Sequence, residues 1–323
     1  MTLPTNFRFS QASLADYLDC PRRFQLRYLL EQAWPAVESE PLLERERLAE
    51  LGRRFHKLIQ QHVEGLSAET LTASLGEPEL ARWWQSYLAS LATTLSDLPE
   101  KRRAEVAMSI PITATSLRGA RSATKQSPDQ STETALLPST PASLRSASAR
   151  DALAVTPGYR LTAHFDLIAG DDDRAVIVDW KTEQRQPARE RLLQRVQTRV
   201  YRYVLTVAQQ RPPGTVSMIY WFAQYPDQPV TLPYDAAQYA ADHQYLSELI
   251  EEIENLARDS GELVRTPSPG FEWPKTPDER KCAYCVYRSL CNRGVRAGTG
   301  DPGEEDFDLV ARINIDQIDA IEY

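Results

Sequence analysis

The chain has 323 residues, 42% of them hydrophobic and 25% charged, which suits a globular protein with one large core or two smaller ones. No apolar run reaches the ~18 residues of a membrane span, and the opening MTLPTNFRFSQASLADYL lacks a secretory leader's basic start and apolar centre, so the expected compartment is the cytoplasm. The formal charge of −8 is gathered in residues 301–323, where eight acidic side chains face one basic residue, Arg312; the rest is nearly neutral, and Lys281, Arg288, Arg293 and Arg296 form a local basic patch able to follow phosphates.

Apolar spacing predicts a helix over Asp16–Leu30 and another over Leu43–Val63, the latter through Leu48, Leu51, Phe55, Leu58 and Ile59. A third is expected over Pro78–Leu95, with its proline at the helix start. From Ala104 the sequence AEVAMSIPI alternates like a strand, with Val106, Met108 and Ile110 on one face. Thr115–Pro157 is rich in Ser, Thr, Ala and Pro and has no aromatic residue, which predicts a disordered insertion. Two β-rich runs, YRLTAHFDLIAG and AVIVDWKTE, flank turn residues Asp171–Asp173 and predict a hairpin. One long amphipathic helix is expected after Pro187, through Leu193, Val196, Val200, Tyr203, Val204 and Val207. Strand signals in TVSMIYWFA and near Val230, then a helix from Ala236 to about Ala257, complete an α/β pattern with a mixed central sheet flanked by helices. The expected organisation is residues 1–114 (helical part and first core strand), the insertion 115–157, a core over 158–280, a cysteine segment 281–296 and an acidic tail 297–323.

Chemistry concentrates on the hairpin. Side chains two apart on a strand share a face, so Ile177, Asp179 and Lys181 point one way and Val176, Val178 and Trp180 the other. With the turn near Asp172, cross-strand partners sum to about 344 or 345, which sets Asp166 against Val178 or Asp179, ~5 Å away at the Cβ. Carboxylates that close repel unless protonated or bridged, and a hard divalent cation such as Mg²⁺ or Mn²⁺ accepts such oxygen donors. From the hairpin alone, a solvent-facing ion pair involving Lys181 fits equally well. On the next helix Gln197 and Tyr201 lie 40° apart and face the sheet, while Arg191, Arg195, Arg199 and Arg202 fall on the far side as an expected solvated stripe. Glu105 could add a carboxylate, and His164 shares a strand face with Asp166.

The four cysteines are split: Cys20 near one end, and Cys282, Cys285 and Cys291 in a C-x2-C-x5-C run that starts 262 positions later. In a reducing compartment this grouping points to metal ligation rather than disulfides, with zinc and iron–sulfur both open.

Together HFDLI, VIVDWKT and QTRVY resemble the RecB-like branch of the PD-(D/E)XK nuclease superfamily, with an Asp strand, a D/E-x-K strand and a Q-x3-Y helix. GRRFH supplies Gly52 and His56 in the family's G-x3-H setting, and SQASLADYLDCPRRFQLRYL resembles its opening helix. The resemblance implies a restriction-endonuclease-like core in which His56, Asp166 and Asp179 hold Mg²⁺ or Mn²⁺, Lys181 orients or deprotonates the attacking water, and Gln197 and Tyr201 complete the catalytic set. It also implies that Cys20, Cys282, Cys285 and Cys291 bind a [4Fe-4S] cluster. Such a staple would restrict the unfolded chain by ~5 kcal/mol and could shape a DNA groove beside Arg22, Arg23, Arg288 and Arg293. The activity implied is a DNA exonuclease directed at single strands, in repair, recombination or CRISPR adaptation. No G-x4-G-K-[ST] loop is present, so a separate helicase is the expected partner and no membrane is. Ala163 departs from the family, which commonly has Gly three residues before the metal-binding Asp. Two rival readings are a non-catalytic DNA-end-binding or adaptor subunit and a zinc-stapled interaction module using the acidic tail.

Overall fold

In a computed structural model that describes residues 3–32, 40–112, 158–262, 272–283 and 285–294, a six-stranded mixed sheet forms the centre of the chain. Its middle strand is β3 (Tyr159–Gly170), paired antiparallel along nearly its whole length with β2 (Arg102–Ile112). A strand has two edges, so β1 (Arg8–Ser10) and β4 (Ala175–Lys181) must share the other. β1 pairs in parallel with Arg160–Thr162, and β4 pairs antiparallel with Leu167–Gly170. Between these partners, residues 163–166 of β3 have no strand beside them on that edge. The sheet continues through β5 (Val216–Phe222), parallel to β4, to β6 (Val230–Pro233).

Two apolar layers cover the sheet. One gathers Leu161, Phe165, Ile177 and Tyr220 with α1 (Gln11–Asp19), α7 (Val196–Ala208) and α8 (Ala236–Glu262). The other gathers Leu167, Val176, Val178, Trp180 and Trp221 with α3 (Glu40–Val63), α4 (Ala68–Ala73) and α5 (Pro78–Leu91). The alternation expected for β4 holds, because Ile177 and Val178 enter opposite layers. In β3 it slips by one: Leu161, Ala163 and Phe165 face the first layer, but Leu167 and Ala169 face the second. The slip falls at Asp166.

Several sequence expectations need correction. The helix over Asp16–Leu30 is broken at Cys20, whose backbone is extended (φ −164°, ψ 110°); α1 ends there and Pro21 opens α2 (Pro21–Phe24), followed by a π-turn over Gln25–Leu29. The helix after Pro187 is two helices, α6 (Arg189–Gln194) and α7, parted at Arg195, where ψ is 134°. Only part of the arginine stripe is a solvated face: Arg191 is exposed, but the C-terminal half of the stripe is covered. Arg199 and Arg202 reach Asp242 of α8 at 3.0 and 3.1 Å, and Arg202 is only 2% exposed, because α8 closes over that flank. A single-helix projection cannot see such a cover. α5 stops at Leu91, and the short β1 and α4 carry too few residues to announce themselves. The insertion and the acidic tail lie outside the described residues, within which no helix is long and apolar enough to cross a membrane.

Candidate active site

The hairpin register sums to 345, so Asp166 and Asp179 occupy the step after Leu167 and Val178, where the ladder stops. Here β4 leaves β3, and Asp166 spans the parting: its Oδ2 accepts the Trp180 backbone N–H at 2.8 Å. The hydrogen bond that a neighbouring strand would have supplied comes from a carboxylate instead.

Asp179 is 1% exposed and faces the first layer. Its Oδ1 accepts from Gln197 Nε2 at 2.7 Å, and its Oδ2 lies 3.0 Å from Lys181 Nζ in an ion pair that does not meet hydrogen-bond geometry. Lys181 Nζ in turn donates to Gln197 Oε1 at 3.2 Å, closing a triangle. Gln197 and Tyr201 sit on the buried face of α7, as the helical projection predicts. Tyr201 packs its ring 5.0 Å from that of Phe165 and hydrogen-bonds Gln197. Burial first, then the Asp179 and Asp166 charges, hold its phenol well above the usual range, so it braces Gln197 and does not serve as a base.

From the other layer α3 brings His56. Its Nε2 lies 3.2 Å from the Trp180 carbonyl and its Nδ1 3.5 Å from Asp166 Oδ1. The backbone acceptor on Nε2 fixes the ring so that Nδ1 faces Asp166, to which it presents a proton when the imidazole is charged and a lone pair only once that proton is lost. The close approach of α3 depends on Gly52, one turn earlier, where a Cβ would lie 3.3 Å from Thr182 Oγ1.

The electrostatics are divided. Burial raises Asp179 to about 7, outweighing the attraction of Lys181, while the nearby Asp166 charge adds to the rise. Asp166 is held below the usual carboxylate range: burial opposes this, but His56, Lys181 and the Trp180 N–H outweigh it. His56 rises to about 9, since the Asp166 charge and hydrogen bond exceed the cost of burial. Three groups thus share protons over one cleft, and a divalent cation would relieve them all. The donor set, one imidazole nitrogen and carboxylate oxygens, fits Mn²⁺ or Mg²⁺.

A sequence model of the PD-(D/E)XK nuclease superfamily matches residues 8–292. This chain belongs to that superfamily. Membership makes nuclease chemistry its class of activity. Among solved structures, one titled "Crystal structure of SSO0001" is similar at 11% identity, covering 89% of this chain and 87% of that one, with a TM-score of 0.34. No curated protein matches the chain. The superfamily's mixed sheet flanked by helices is the architecture seen here.

Two features of this cleft were faint or silent in the sequence. The Trp180 peptide, clasped by Asp166 at its N–H and His56 at its carbonyl, has no side-chain signature. Glu105, legible as a strand carboxylate, has φ of +50° and lies across from Asp166.

The four cysteines, none in a disulfide, line a second pocket together with Arg23, Lys275, Lys281, Arg288 and Arg293. Among the described residues no three of these sulfurs fall within 4.8 Å of one another. Burial pushes the Cys285 thiol up to about 11, against the pull of Arg23, and raises Cys282 and Cys291 as well. Arg22 and Arg23 do not line a DNA groove. Arg23 is 5% exposed and pairs with Asp16 and Asp19 at 3.0 and 2.5 Å, and Arg22 reaches Glu272 at 3.2 Å. They brace the cysteine module from within.

Proposed function

We propose that the chain is a metal-dependent deoxyribonuclease, acting as an exonuclease on single-stranded ends in DNA repair, recombination or CRISPR adaptation, with a separate helicase supplying the strand. The observation that carries the reading is the convergence of Asp166, Asp179 and Lys181 where β4 leaves β3, with the buried Asp179 Oδ2 satisfied by no hydrogen bond. Asp166, Asp179 and His56 would hold a Mg²⁺ or Mn²⁺ ion. When bound, that ion supplies Lewis-acid polarisation of the scissile phosphate and lowers the proton affinity of water beside it.

The chain's own residues do the positioning. Lys181, held by Asp179 and Gln197, keeps its ammonium at the cleft, where it can orient a water lone pair toward phosphorus and offset the charge that grows on the phosphoryl oxygens. Gln197 fixes Asp179 and Lys181 together, and Tyr201 fixes Gln197. His56 ties α3 to the same peptide that Asp166 holds, so ligands from three elements move as one body.

For the cysteine pocket we propose a [4Fe-4S] cluster on Cys20, Cys282, Cys285 and Cys291. Tetrahedral zinc with ~2.3 Å bonds needs sulfurs ~3.8 Å apart, tighter than any trio of these cysteines provides. The five cationic neighbours favour an anionic group. Anaerobic purification with iron and sulfide analysis, then incubation with end-labelled single- and double-stranded DNA with and without Mn²⁺, tests both halves. Asp179→Asn should abolish cleavage and leave the iron in place; undiminished cleavage by that variant would remove Asp179 from the chemistry.

A further inference from the structure

Among the described residues, one face of the sheet has no apolar cover where β1, β3 and β2 lie side by side. Phe9 of β1, Leu161 and Phe165 of β3 and Ile110 of β2 enter the first layer, so the residues between them point to the opposite face. There stand Arg8, Arg160, Thr162, His164, Ala107 and Ser109. None of them belongs to the second layer, which takes up β3 only from Leu167 onward. Arg8, Ala107 and Arg160 are exposed, and Ser109, Thr162 and His164 are half-buried. The strip begins beside Asp166 and runs back along β3 to Arg160, ~20 Å at ~3.3 Å per residue.

The strip carries cations and hydroxyls, and the first carboxylate along it is Glu105, at the cleft end. Arg160 is held in place: its Nε donates to Ser109 Oγ at 2.7 Å and its Nη2 to the Ser109 carbonyl at 2.7 Å. A guanidinium has five N–H donors, so most of its donors remain for a ligand. Thr162 Oγ1 also donates to Ser109 Oγ, at 3.2 Å, so that hydroxyl accepts two bonds and keeps its own proton to give. Arg8 stands beside Arg160 in the β1 and β3 register, and among the described residues neither is paired with an acid. Like charges on neighbouring strands destabilise a sheet, and an anion lying between them removes that cost.

We infer that this strip is the track for one nucleic-acid strand, whose phosphates bridge Arg8 and Arg160 and accept from the Ser109 hydroxyl on the way to Asp166. The inference deepens the nuclease reading and rests on it for the strand's destination. Charge complementarity chooses the occupant, because fixed cations and hydroxyl donors suit phosphodiester oxygens. A track of ~20 Å takes about six stacked nucleotides at ~3.4 Å each. Three strands at ~4.8 Å spacing make it ~10 Å across, which fits a single backbone. The strip has no Phe, Tyr or Trp on which a base would stack, so it reads the backbone and not the sequence.

The test is fluorescence anisotropy of labelled oligothymidylate and oligoadenylate on the full chain, in chelator so that no cleavage competes, over a range of salt. Each phosphate contact on a single strand adds ~0.7 to the slope of log affinity against log salt, which is about fivefold in affinity at ~0.1 M. Arg8→Ala should lower the slope by ~0.7 and the affinity about fivefold; combined with Arg160→Gln the losses should be ~1.4 and about 25-fold, alike for both oligonucleotides. The Arg8 side chain makes no hydrogen bond or ion pair among the described residues, so Arg8→Ala should melt as wild type does, which separates binding from folding. Arg258→Ala removes an exposed charge from α8, on the first-layer side, and should bind as wild type. An Arg8→Ala variant with wild-type slope and affinity, or an equal loss in Arg258→Ala, would overturn the track. So would tighter binding by Arg8→Ala, the result expected if the acidic tail occupied the strip. Asp179→Asn leaves the strip intact, so undiminished cleavage by that variant would sink the nuclease reading without touching the binding result.

Discussion

Without metal, the active site should make the protein less stable as pH rises from 5.5 to 9. Asp179 has its pKa raised by burial from 3.8 to about 7, so between those values the folded state holds a proton that the unfolded state has lost. Stability therefore falls as pH climbs through that window and levels off above it. His56 is raised from 6.5 to about 9; its contribution is complete below 6.5 and disappears as pH rises toward 9. The two effects have the same sign and together amount to a few kcal/mol, at about 1.36 kcal/mol for each tenfold gain in proton affinity and discounted for the partial exposure of His56. A cation displaces these protons, so Mn²⁺ should restore what the alkaline side loses. With a pKa of about 9, only about 1% of His56 is free of its proton at pH 7 and about half at pH 9, so Mn²⁺ affinity should rise roughly fifty-fold over that range. The assay is thermal unfolding at pH 5.5, 7 and 9, in chelator and in Mn²⁺, with the cysteine site in the same state throughout. A melting temperature in chelator that is flat or rises with pH, or an Mn²⁺ stabilisation equal at all three values, would refute the assignment of these protons to the cleft.

Other perturbations have equally definite outcomes. Asp242→Ala strands Arg202 in a 2%-exposed position without its partner and should cost about 3 to 5 kcal/mol in chemical denaturation, whereas Asp242→Asn should cost less. Gly52→Ala adds up to about 1 kcal/mol of helix propensity but sets a methyl 3.3 Å from Thr182 Oγ1, next to Lys181; melting should be nearly unchanged while kcat falls several-fold. Cys20→Ser should release the link between the chain's two ends and lower stability by up to ~5 kcal/mol in iron-loaded protein, with little change in protein already stripped of iron. Gln197→Ala should lower kcat about ten- to a hundred-fold while leaving Mn²⁺ affinity within a few-fold, since Gln197 touches Asp179 and Lys181 from the side of α7.

The hairpin was readable because its information is local. A period of two set Ile177 and Val178 in opposite layers, and counting from the turn gave the register to within one residue. Gln197 and Tyr201 were readable for the same reason, since a helix of known period fixes which side chains share a face. What escaped was set by distant packing. Arg199 and Arg202 follow the helical projection faithfully, yet α8 brings Asp242 over them from some forty residues away and turns a surface stripe into a buried ion pair. Arg22 and Arg23, which look like phosphate contacts in PRRF, are taken up by Glu272, Asp16 and Asp19. The slip at Asp166 also has no local signal, because Phe165 and Leu167 are both apolar and only the two layers reveal that they point apart.

That slip explains why the chemistry sits where it does. A regular β3 would pair along both edges, and a carboxylate at position 166 would stand out from one face of the sheet with no strand end beside it to engage. Instead β1 covers the first stretch of the edge and β4 the last, leaving residues 163–166 open. Asp166 can then accept the Trp180 N–H with one oxygen and present the other, beside His56, to the cleft. Ala163 borders this gap and is 1% exposed, so its methyl, where the family commonly has none, is absorbed into the first layer. The parting of β3 from β4 weakens the sheet locally, and the carboxylate–peptide and imidazole–peptide contacts at Trp180 restore the lost backbone satisfaction with the same groups that would bind the ion. Substituting Asp166 should therefore destabilise the metal-free chain as well as abolish cleavage, whereas Asp179→Asn, which removes a buried charge raised by its surroundings, should leave the metal-free chain as stable or more so above pH 7.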